Sequence, residues 1–295
     1  MASSLQTRLR PYAPLVWLAP AVLYLLAFTV YPLIYSVQVS FTVTAAGPVG
    51  FTLANFTRLL RDRLFFISLG QTAVYTLAAL LVEFVLGLAL ALLVDWGMRA
   101  GSRLMKPLRA LLLVPLLLPP VVVAVIWRLI YNPDFGVLNG SLKSLGLNTS
   151  SLTWIAGENT ALASVILVDV WQWTPFMFLL LLAGLQALPV EPFEAARVDG
   201  ASALETFRRL TLPLLKPVIL VALLLRTMDL LRVFDQIFIL TQGGPGFATE
   251  TASLFIYRTA FRFYDFGYAA VLSFVVLAFT LLLARLFLRV LRRAA

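Results

Sequence analysis

Four charged residues lie close together in a segment of the chain that is otherwise apolar. Arg226, Asp229, Arg232 and Asp235 alternate in sign at intervals of three residues. At about 100° per residue, one helical face carries Arg226, Asp229, Leu230 and Val233. Charges inside an apolar helix are costly, so each is a candidate for function. Two interpretations follow: the opposite charges neutralise each other along the helix, or they form a polar wall that binds a hydroxyl-rich solute.

A second group of polar and aromatic residues lies in the preceding apolar segment, in the run Asp169-Val-Trp-Gln-Trp-Thr-Pro-Phe176. Aromatic rings stack on the apolar faces of sugars, and an amide such as Gln172 donates and accepts hydrogen bonds with hydroxyl groups. Trp171 is better explained as a residue of the membrane interface. Glu83 stands alone within another apolar segment, and the sequence identifies neither a partner nor a role for it.

The composition defines the class of protein that contains these residues. Of 295 residues, 61% are hydrophobic and only 13% are charged, against roughly a quarter charged in soluble proteins. Cysteine and histidine are absent, which excludes disulfides, Cys/His metal sites and a histidine acid or base. No lysine follows a glycine, so the chain has no P-loop, and an ATP-driven role requires a separate ATPase. We therefore expect no catalytic residue, metal or cofactor in this chain.

Six apolar segments have the length of roughly 20 residues that a membrane-spanning helix needs. They predict an all-α, polytopic membrane protein, with residues 1–14 as a cytoplasmic N-terminus and residues 15–295 as one transmembrane domain. The first segment has no cleavage signal followed by a soluble domain and is interpreted as a retained anchor. The predicted spans are Leu15–Val39, Leu69–Val94, Leu108–Ile130, Ala161–Leu188, Pro217–Leu240 and Phe266–Leu288.

The basic residues of the connecting segments predict the orientation. The net charge is +9, and the short connections carry most of the Lys and Arg residues, which is typical of topology determinants and not of a nucleic-acid surface. With the N-terminus inside, fourteen of these residues lie on the cytoplasmic side and six outside. Both termini are therefore predicted to be cytoplasmic, as is the polar stretch between the fourth and fifth spans.

That polar stretch, residues 190–212, is predicted to form a helix-turn-helix, which we call the elbow. Pro192 is tolerated in the first turn of a helix, and Gly200 provides a turn after that helix. Ser202 and Glu205 have the spacing of a capping box, which opens a second short helix. An amphipathic hairpin that only covers the membrane face is the simpler alternative.

The elbow resembles the EAA loop of binding-protein-dependent ABC importer permeases. The matching residues are Glu194-Ala195-Ala196, Asp199-Gly200-Ala201, Phe207 and Leu212-Pro213. The downstream run Leu240-Thr-Gln-Gly-Gly-Pro245 resembles a signature of the larger permease subunit of maltose-like sugar importers. The resemblance implies that the elbow is a coupling helix, in which Glu194, Ala195, Ala196, Asp199, Gly200 and Ala201 contact the ATPase.

The same resemblance implies the remaining partners and the solute contacts. The partners are a second homologous permease, two ATP-binding subunits that hold ATP and Mg²⁺, and an extracytoplasmic solute-binding protein, around a multi-pass protein of a bacterial or archaeal cell membrane. Counted back from the downstream signature, the sugar-facing positions fall on Arg226, Asp229, Leu230 and Val233 in the fifth span and on Gln172, Trp173 and Phe176 in the fourth. Charged residues replace neutral polar ones of the maltose type, so the identity of the sugar does not carry over.

The resemblance implies import of a di- or oligosaccharide by alternating access, and three other functions are alternatives to it. The same architecture importing glycerol-3-phosphate or glycerophosphodiesters would use Arg226 or Arg232 to bind phosphate. A membrane-embedded enzyme is disfavoured because the chain lacks His, Cys and a conventional nucleophile. An ion channel is disfavoured because the chain has no repeated filter sequence.

Overall fold

The computed structural model describes residues 13–44, 46–48, 50–148 and 152–294. Residues 1–12 lie outside the described residues. They make up most of the predicted cytoplasmic N-terminus and include Arg8 and Arg10. The described chain divides into two compact units, residues 1–62 with 256–275 and residues 63–255 with 276–295. Each unit is described separately below.

The regular structure of the described residues is helical apart from one small hairpin, which confirms the predicted all-α class. The hairpin pairs β1 (Val43–Thr44) with β2 (Gly47–Pro48) in antiparallel register. The α-helices are α1 (Ala13–Leu25), α2 (Tyr31–Thr42), α3 (Ala54–Leu59), α4 (Arg63–Arg99), α5 (Met105–Leu112), α6 (Pro120–Ile130), α7 (Val137–Ser144), α8 (Ala161–Gln186), α9 (Glu191–Val198), α10 (Ala203–Thr206), α11 (Leu212–Leu230), α12 (Asp235–Leu240), α13 (Ala252–Tyr257) and α14 (Phe266–Ala294). A π-helical turn at Leu26–Val30 joins α1 to α2, and another at Phe207–Thr211 joins α10 to α11. A third, at Arg258–Arg262, follows α13, and a 3₁₀ turn at Pro115–Leu117 follows α5.

Within the described residues, five continuous helices are long and apolar enough to cross a membrane, and a bent pair makes up to six. The continuous helices are Trp17–Thr42, Arg63–Arg99, Ala161–Gln186, Ala203–Leu230 and Phe266–Arg292. The bent pair joins Met105–Leu117 to Pro120–Ile130 at an angle of 96°. The expectation of six spans therefore holds when the bent pair counts as one.

Two predicted spans differ in form from the observed helices. The third, expected to run from Leu108 to Ile130, is broken at Pro119, because two consecutive prolines remove backbone N–H groups and hold the preceding residue extended. The fifth, expected at Pro217–Leu240, begins at Ala203 and ends at Leu230. Pro213 and Pro217 do not start the span because the capping box has already opened the helix and a π-helical turn precedes Pro213.

In the second unit, α4, α8 and α11 form the core that positions the charged residues. A Cβ atom on Gly87 of α4 would lie 2.6 Å from the Cβ atom of Met177 in α8, so the two backbones are in close contact there. Gly184 of α8 similarly makes room for Leu215 of α11. One apolar cluster fills the space between these helices and comprises Ala91, Val94, Phe178, Leu181, Leu182, Leu185 and Leu215.

In the first unit, a buried asparagine holds the hairpin to helix α3. Asn55 is 3% exposed, and its side-chain amide donates to the carbonyl oxygens of Ser40 (2.9 Å) and Val43 (2.7 Å). At the start of α14, Asp265 accepts from Arg58 at 2.6 Å. These hydrogen bonds give Asn55 a structural role.

Candidate functional site

Arg226 lies at the centre of a buried set of charges formed by α4, α8 and α11. Its Nε donates to Glu83 Oε2 at 2.7 Å and its Nη2 donates to Glu83 Oε1 at 2.9 Å, a bidentate arrangement. Nη2 also donates to Asp169 and Nη1 donates to Asp229. We call these four residues the Arg226 cluster. Three residues come from three different helices, and Asp229 follows Arg226 by one turn.

The Arg226 cluster uses nearly all the donors of one guanidinium. Of the five N–H groups that an arginine side chain carries, four donate to carboxylates. The guanidinium carbon lies 4.7 Å from the centre of the Trp173 ring, within the range of a cation–π contact. Arg226, Glu83 and Asp169 are 2%, 0% and 2% exposed, whereas Asp229 is 48% exposed. Arg226 is therefore fixed between two buried carboxylates and a third that reaches water.

The structure distinguishes the two pairs of charges that the sequence placed along the fifth span. Arg226 does pair with Asp229, but its main partners come from other helices. Arg232 donates instead to the carbonyl oxygen of Met228 at 3.1 Å. Helix α11 ends at Leu230, so Asp235 lies in the first turn of α12. Pairing along one continuous helix therefore describes only the first half of the alternating charges.

A cavity of about 110 Å³ lies beside the Arg226 cluster. Four of the predicted solute-contact residues, Arg226, Asp229, Val233 and Trp173, line this cavity. Its other lining residues are Pro120, Asp169, Arg232, Phe234, Asp235 and Gln236. Its volume is below the roughly 300 Å³ at which small-molecule pockets begin.

The other three predicted solute-contact residues do not line the cavity. Leu230 is fully buried, and Phe176 packs edge-on against Trp173 with ring centres 6.3 Å apart. Gln172 is 1% exposed, and its amide donates to the carbonyl oxygen of Leu118 at 2.9 Å. That carbonyl stands at the break between the two halves of the third span, where no helical N–H reaches it. In this conformation the Gln172 side chain therefore provides the hydrogen-bond partner of the Leu118 carbonyl at the break.

Three residues of this region were assigned no functional role from the sequence: Glu83, Asp169 and Gln236. Gln236 donates to Gln172 at 2.7 Å and accepts from the Tyr75 hydroxyl at 3.3 Å, which extends the network to α12 and α4. The available signal was that a charge within an apolar span requires a partner. One sequence does not show which spans are neighbours, so the signal identified Glu83 and Asp169 as unusual without pairing them with Arg226.

The elbow has the local structure that its sequence predicts. Gly200 has a φ of +75°, and Ala201 N–H donates to the Ala196 carbonyl while Gly200 N–H donates to the Arg197 carbonyl, which is a Schellman motif. Ser202 Oγ accepts from the Glu205 N–H at 3.3 Å, and Glu205 accepts from the Ser202 N–H at 3.1 Å, so the capping box is confirmed. These local bonds fix the turn between α9 and α10.

The predicted coupling residues lie on the open side of the elbow. Glu194, Ala195, Asp199, Gly200 and Ala201 are exposed, and Ala196 is partly exposed. Two apolar side chains beside them are also open to solvent, Val198 at 88% and Leu204 at 56%. Phe207 is instead partly buried and lines a cavity of about 510 Å³ against the ends of α4 and α8. The elbow thus has an inner side that packs on the spans and an outer side made of small, apolar and charged residues.

The helical fold and the elbow together define a membrane permease, and the comparison with family models agrees. Residues 83–295 match the model described as "Binding-protein-dependent transport system inner membrane component". The chain belongs to this family, whose members are ABC transporter permeases and not enzymes. The match includes Glu83, the Trp173 region, the elbow and the last span.

Individual relatives extend the match over nearly the whole chain. The trehalose/maltose transport system permease protein MalF of Thermococcus litoralis is 43% identical over 235 residues, which are 79% of this chain and 76% of the relative. The trehalose transport system permease protein SugA of Mycobacterium tuberculosis is 34% identical over 94% of this chain and 88% of its own length. A solved structure of a bacterial ABC transporter for the acidic polysaccharide alginate superposes with a TM-score of 0.85 at 23% identity, over 98% of this chain and 99% of that one. The superposition on this solved structure supports the helical fold described above.

Proposed function

We propose that this chain is the permease subunit of an ATP-driven importer that carries a di- or oligosaccharide across a cell membrane by alternating access. It acts with a second homologous permease, two ATPase subunits that bind ATP and Mg²⁺, and an extracytoplasmic solute-binding protein. Both termini and the elbow lie in the cytoplasm. This chain contributes the path for the solute, and its partners hydrolyse the nucleotide.

The outer side of the elbow is the observation on which the proposal depends. Small residues, the exposed side chains of Val198 and Leu204 and the charges of Glu194 and Asp199 are presented together by a turn that local hydrogen bonds make rigid. Exposed apolar side chains rimmed by charge are typical of a protein–protein contact. An ATPase groove is the partner expected for an elbow with the EAA pattern.

The relatives and the cavity support a sugar as the solute. Trehalose occurs in the names of both relatives described above. The cavity combines the Trp173 ring with charged groups that exchange hydrogen bonds with hydroxyls. The guanidinium of Arg226 is already bound by three carboxylates, which disfavours a phosphate ester at that position. At Arg226, a neutral, hydroxyl-rich solute therefore fits better than a phosphorylated one.

Alternating access is supported by the broken third span beside the cavity. Pro120 lines the cavity and opens α6 directly after the break. The observed volume of about 110 Å³ is too small for a disaccharide, so the walls must move apart for transport. A helix that is already broken allows such movement without further loss of backbone hydrogen bonds.

The proposal is tested by reconstituting the complete complex in lipid vesicles and measuring ATP-dependent uptake of radiolabelled trehalose and maltose. Glu194→Lys reverses a charge on the outer side of the elbow, so we expect loss of at least about 90% of uptake and of solute-stimulated ATP hydrolysis, with normal membrane insertion. Glu191→Lys is the matched control, because Glu191 is also exposed on α9 but lies outside the EAA pattern. Full uptake by the Glu194→Lys complex would refute the coupling role, and absence of uptake of either sugar by the unaltered complex would refute the solute assignment.

The orientation has its own test, for which a chain without cysteine is well suited. Val198→Cys on the elbow and Lys143→Cys in α7 place single thiols at exposed positions. In vesicles that contain the permease without its ATPase, a membrane-impermeant maleimide is expected to label Val198→Cys only when the vesicles are inside-out and Lys143→Cys only when they are right-side-out. The reverse pattern would place the elbow outside and contradict the proposal.

A further inference from the structure

The carboxylates of the Arg226 cluster differ in their access to water. Glu83 and Asp169 are 0% and 2% exposed, whereas Asp229 is 48% exposed and lines the cavity. All three accept hydrogen bonds from the same guanidinium. Only Asp229 therefore has an alternative partner available, whether water or a solute.

We infer that Arg226 is a positioning residue of the cavity wall and that Asp229 is the residue of the Arg226 cluster that binds the solute, released from Arg226 as the solute arrives. This inference rests on the proposed function and assigns separate roles to two residues that the sequence placed together. Glu83 and Asp169 are then the residues that make the release of Asp229 possible.

The geometry of Arg226 supports this division of roles. Glu83 binds the guanidinium through two hydrogen bonds, at 2.7 and 2.9 Å, and Asp169 binds the same Nη2 atom from another helix. When Asp229 leaves, Arg226 still has two carboxylate partners, so its buried positive charge keeps a counter-charge. If Glu83 or Asp169 left, its carboxylate would remain buried and unpaired. The release of Asp229 is therefore the least costly rearrangement of the cluster.

The cavity is the place where a solute would meet the released carboxylate of Asp229. Asp229 and the Trp173 ring both line it, so once its walls have moved apart a sugar is able to stack on the ring while its hydroxyl groups donate to Asp229. The Trp173 ring also lies over Arg226 at 4.7 Å, which helps to fix the guanidinium. Arg226 thus holds the ring and Asp229 in place, and four of its five N–H donors are occupied before the solute arrives.

A double-mutant cycle tests the inference by measuring binding of radiolabelled trehalose to the detergent-solubilised permease–ATPase complex without solute-binding protein. Asp229→Asn removes the proposed solute ligand, and we expect affinity to fall by about tenfold, as for the loss of a hydrogen bond to a charged group. Glu83→Gln removes one counter-charge of Arg226 and leaves Asp229 more tightly held, so affinity is expected to fall by about three- to tenfold.

The combination of the two variants distinguishes positioning from general damage. In the Asp229→Asn background, Glu83→Gln is expected to lower affinity by less than about twofold, because the carboxylate that it affects is already gone. In the control background Arg232→Gln, which alters the cavity wall outside the cluster, Glu83→Gln should retain its full effect. Equal effects of Glu83→Gln in all backgrounds, or unchanged affinity in Asp229→Asn, would overturn the inference. Should Glu83→Gln fail to assemble, Asp169→Asn replaces it in the same cycle.

A labelling experiment tests the accessibility of position 229 by a second route. Asp229→Cys introduces the only thiol of the chain, at a position 48% exposed. A water-soluble thiol reagent is expected to label it in the assembled complex, and trehalose is expected to protect it. A thiol that the reagent does not reach would overturn the inference. Labelling that trehalose leaves unchanged, with no trehalose bound by the unaltered complex, would instead refute trehalose as the solute and remove the proposed function on which the inference rests.

Discussion

The Arg226 cluster and the elbow both present charged residues, but they hold them in place by different means. The cluster joins residues that are 143 and 57 positions apart, and its charges are held by packing of α4, α8 and α11. The elbow joins residues within six positions of one another through backbone and capping bonds, and its charges face solvent. One region therefore depends on the tertiary fold, whereas the other depends on its own sequence.

This difference predicts how each region responds to substitution. Removing one member of a buried charge cluster leaves another charge uncompensated, which destabilises the protein. Removing an exposed charge usually changes stability by less than about 0.5 kcal/mol, so its effect must be sought in a partner. Substitutions in the Arg226 cluster are therefore expected to lower the free energy of unfolding, and substitutions of exposed charges in the elbow are expected to lower transport.

The largest loss of stability is expected for Arg226→Met, which keeps an unbranched apolar stem but removes the guanidinium cation. Glu83 and Asp169 would then lie buried beside each other without a counter-charge, and we expect the free energy of unfolding to fall by about 3–5 kcal/mol. Thermal unfolding of the purified permease in detergent measures this change. Arg232→Met is the matched control on the cavity wall, since Arg232 is exposed and donates to the backbone of its own segment. Equal stability of the two variants would show that the cluster is not a structural element.

A smaller loss is expected for Gly87→Ala, one turn along α4 from Glu83. The new methyl group would lie 2.6 Å from Met177 Cβ and 3.0 Å from the Phe178 backbone nitrogen, so α4 and α8 must separate at a cost of about 1–3 kcal/mol. The same unfolding measurement is expected to show that Gly70→Ala in α4 is neutral or slightly stabilising, because no atom lies within 4 Å of its added methyl. A neutral Gly87→Ala would mean that the helices adjust without disturbing the cluster.

The smallest loss of stability is expected in the elbow, for Ser202→Ala. This change removes the hydroxyl that accepts the Glu205 N–H, an N-cap worth about 1 kcal/mol, and loosens the start of α10. Ser202→Thr keeps the hydroxyl and is expected to behave as the unaltered protein. A loss as large as that of Arg226→Met would contradict the view that the elbow depends on its own sequence.

The sequence was sufficient to predict the elbow because every bond that shapes it is local. Pro192, Gly200 and the pair Ser202 and Glu205 each favour one backbone arrangement within a few residues. The helical class and the approximate spans were predictable for a related reason, since a bilayer requires long apolar helices. The coupling role of the exposed residues remains a prediction.

The Arg226 cluster was only partly predictable, because its partners depend on which helices are neighbours. Periodicity placed Arg226 and Asp229 on one face, and the structure brings both to the same cavity with Trp173. Periodicity also carried the face on to Val233, although α11 ends at Leu230, because nothing in the local sequence marks that break. Glu83 was identified as unusual, but its pairing with Arg226 across 143 residues follows only from the packing at Gly87 and Gly184.

The hydrogen bond from Gln172 to Leu118 has a mechanical consequence. The Leu118 carbonyl lies just before α6 and accepts a hydrogen bond from the Gln172 side chain of α8. This contact ties the segment before α6 to α8, and a water molecule is able to replace it. Swinging α6 about Pro119 would exchange this amide contact together with the contacts of Trp127, Arg128 and Tyr131, and it would leave the backbone hydrogen bonds within both helices intact. The prolines therefore place a break in the backbone beside the cavity, where the proposed alternating access requires movement, and Gln172 binds the carbonyl at that break.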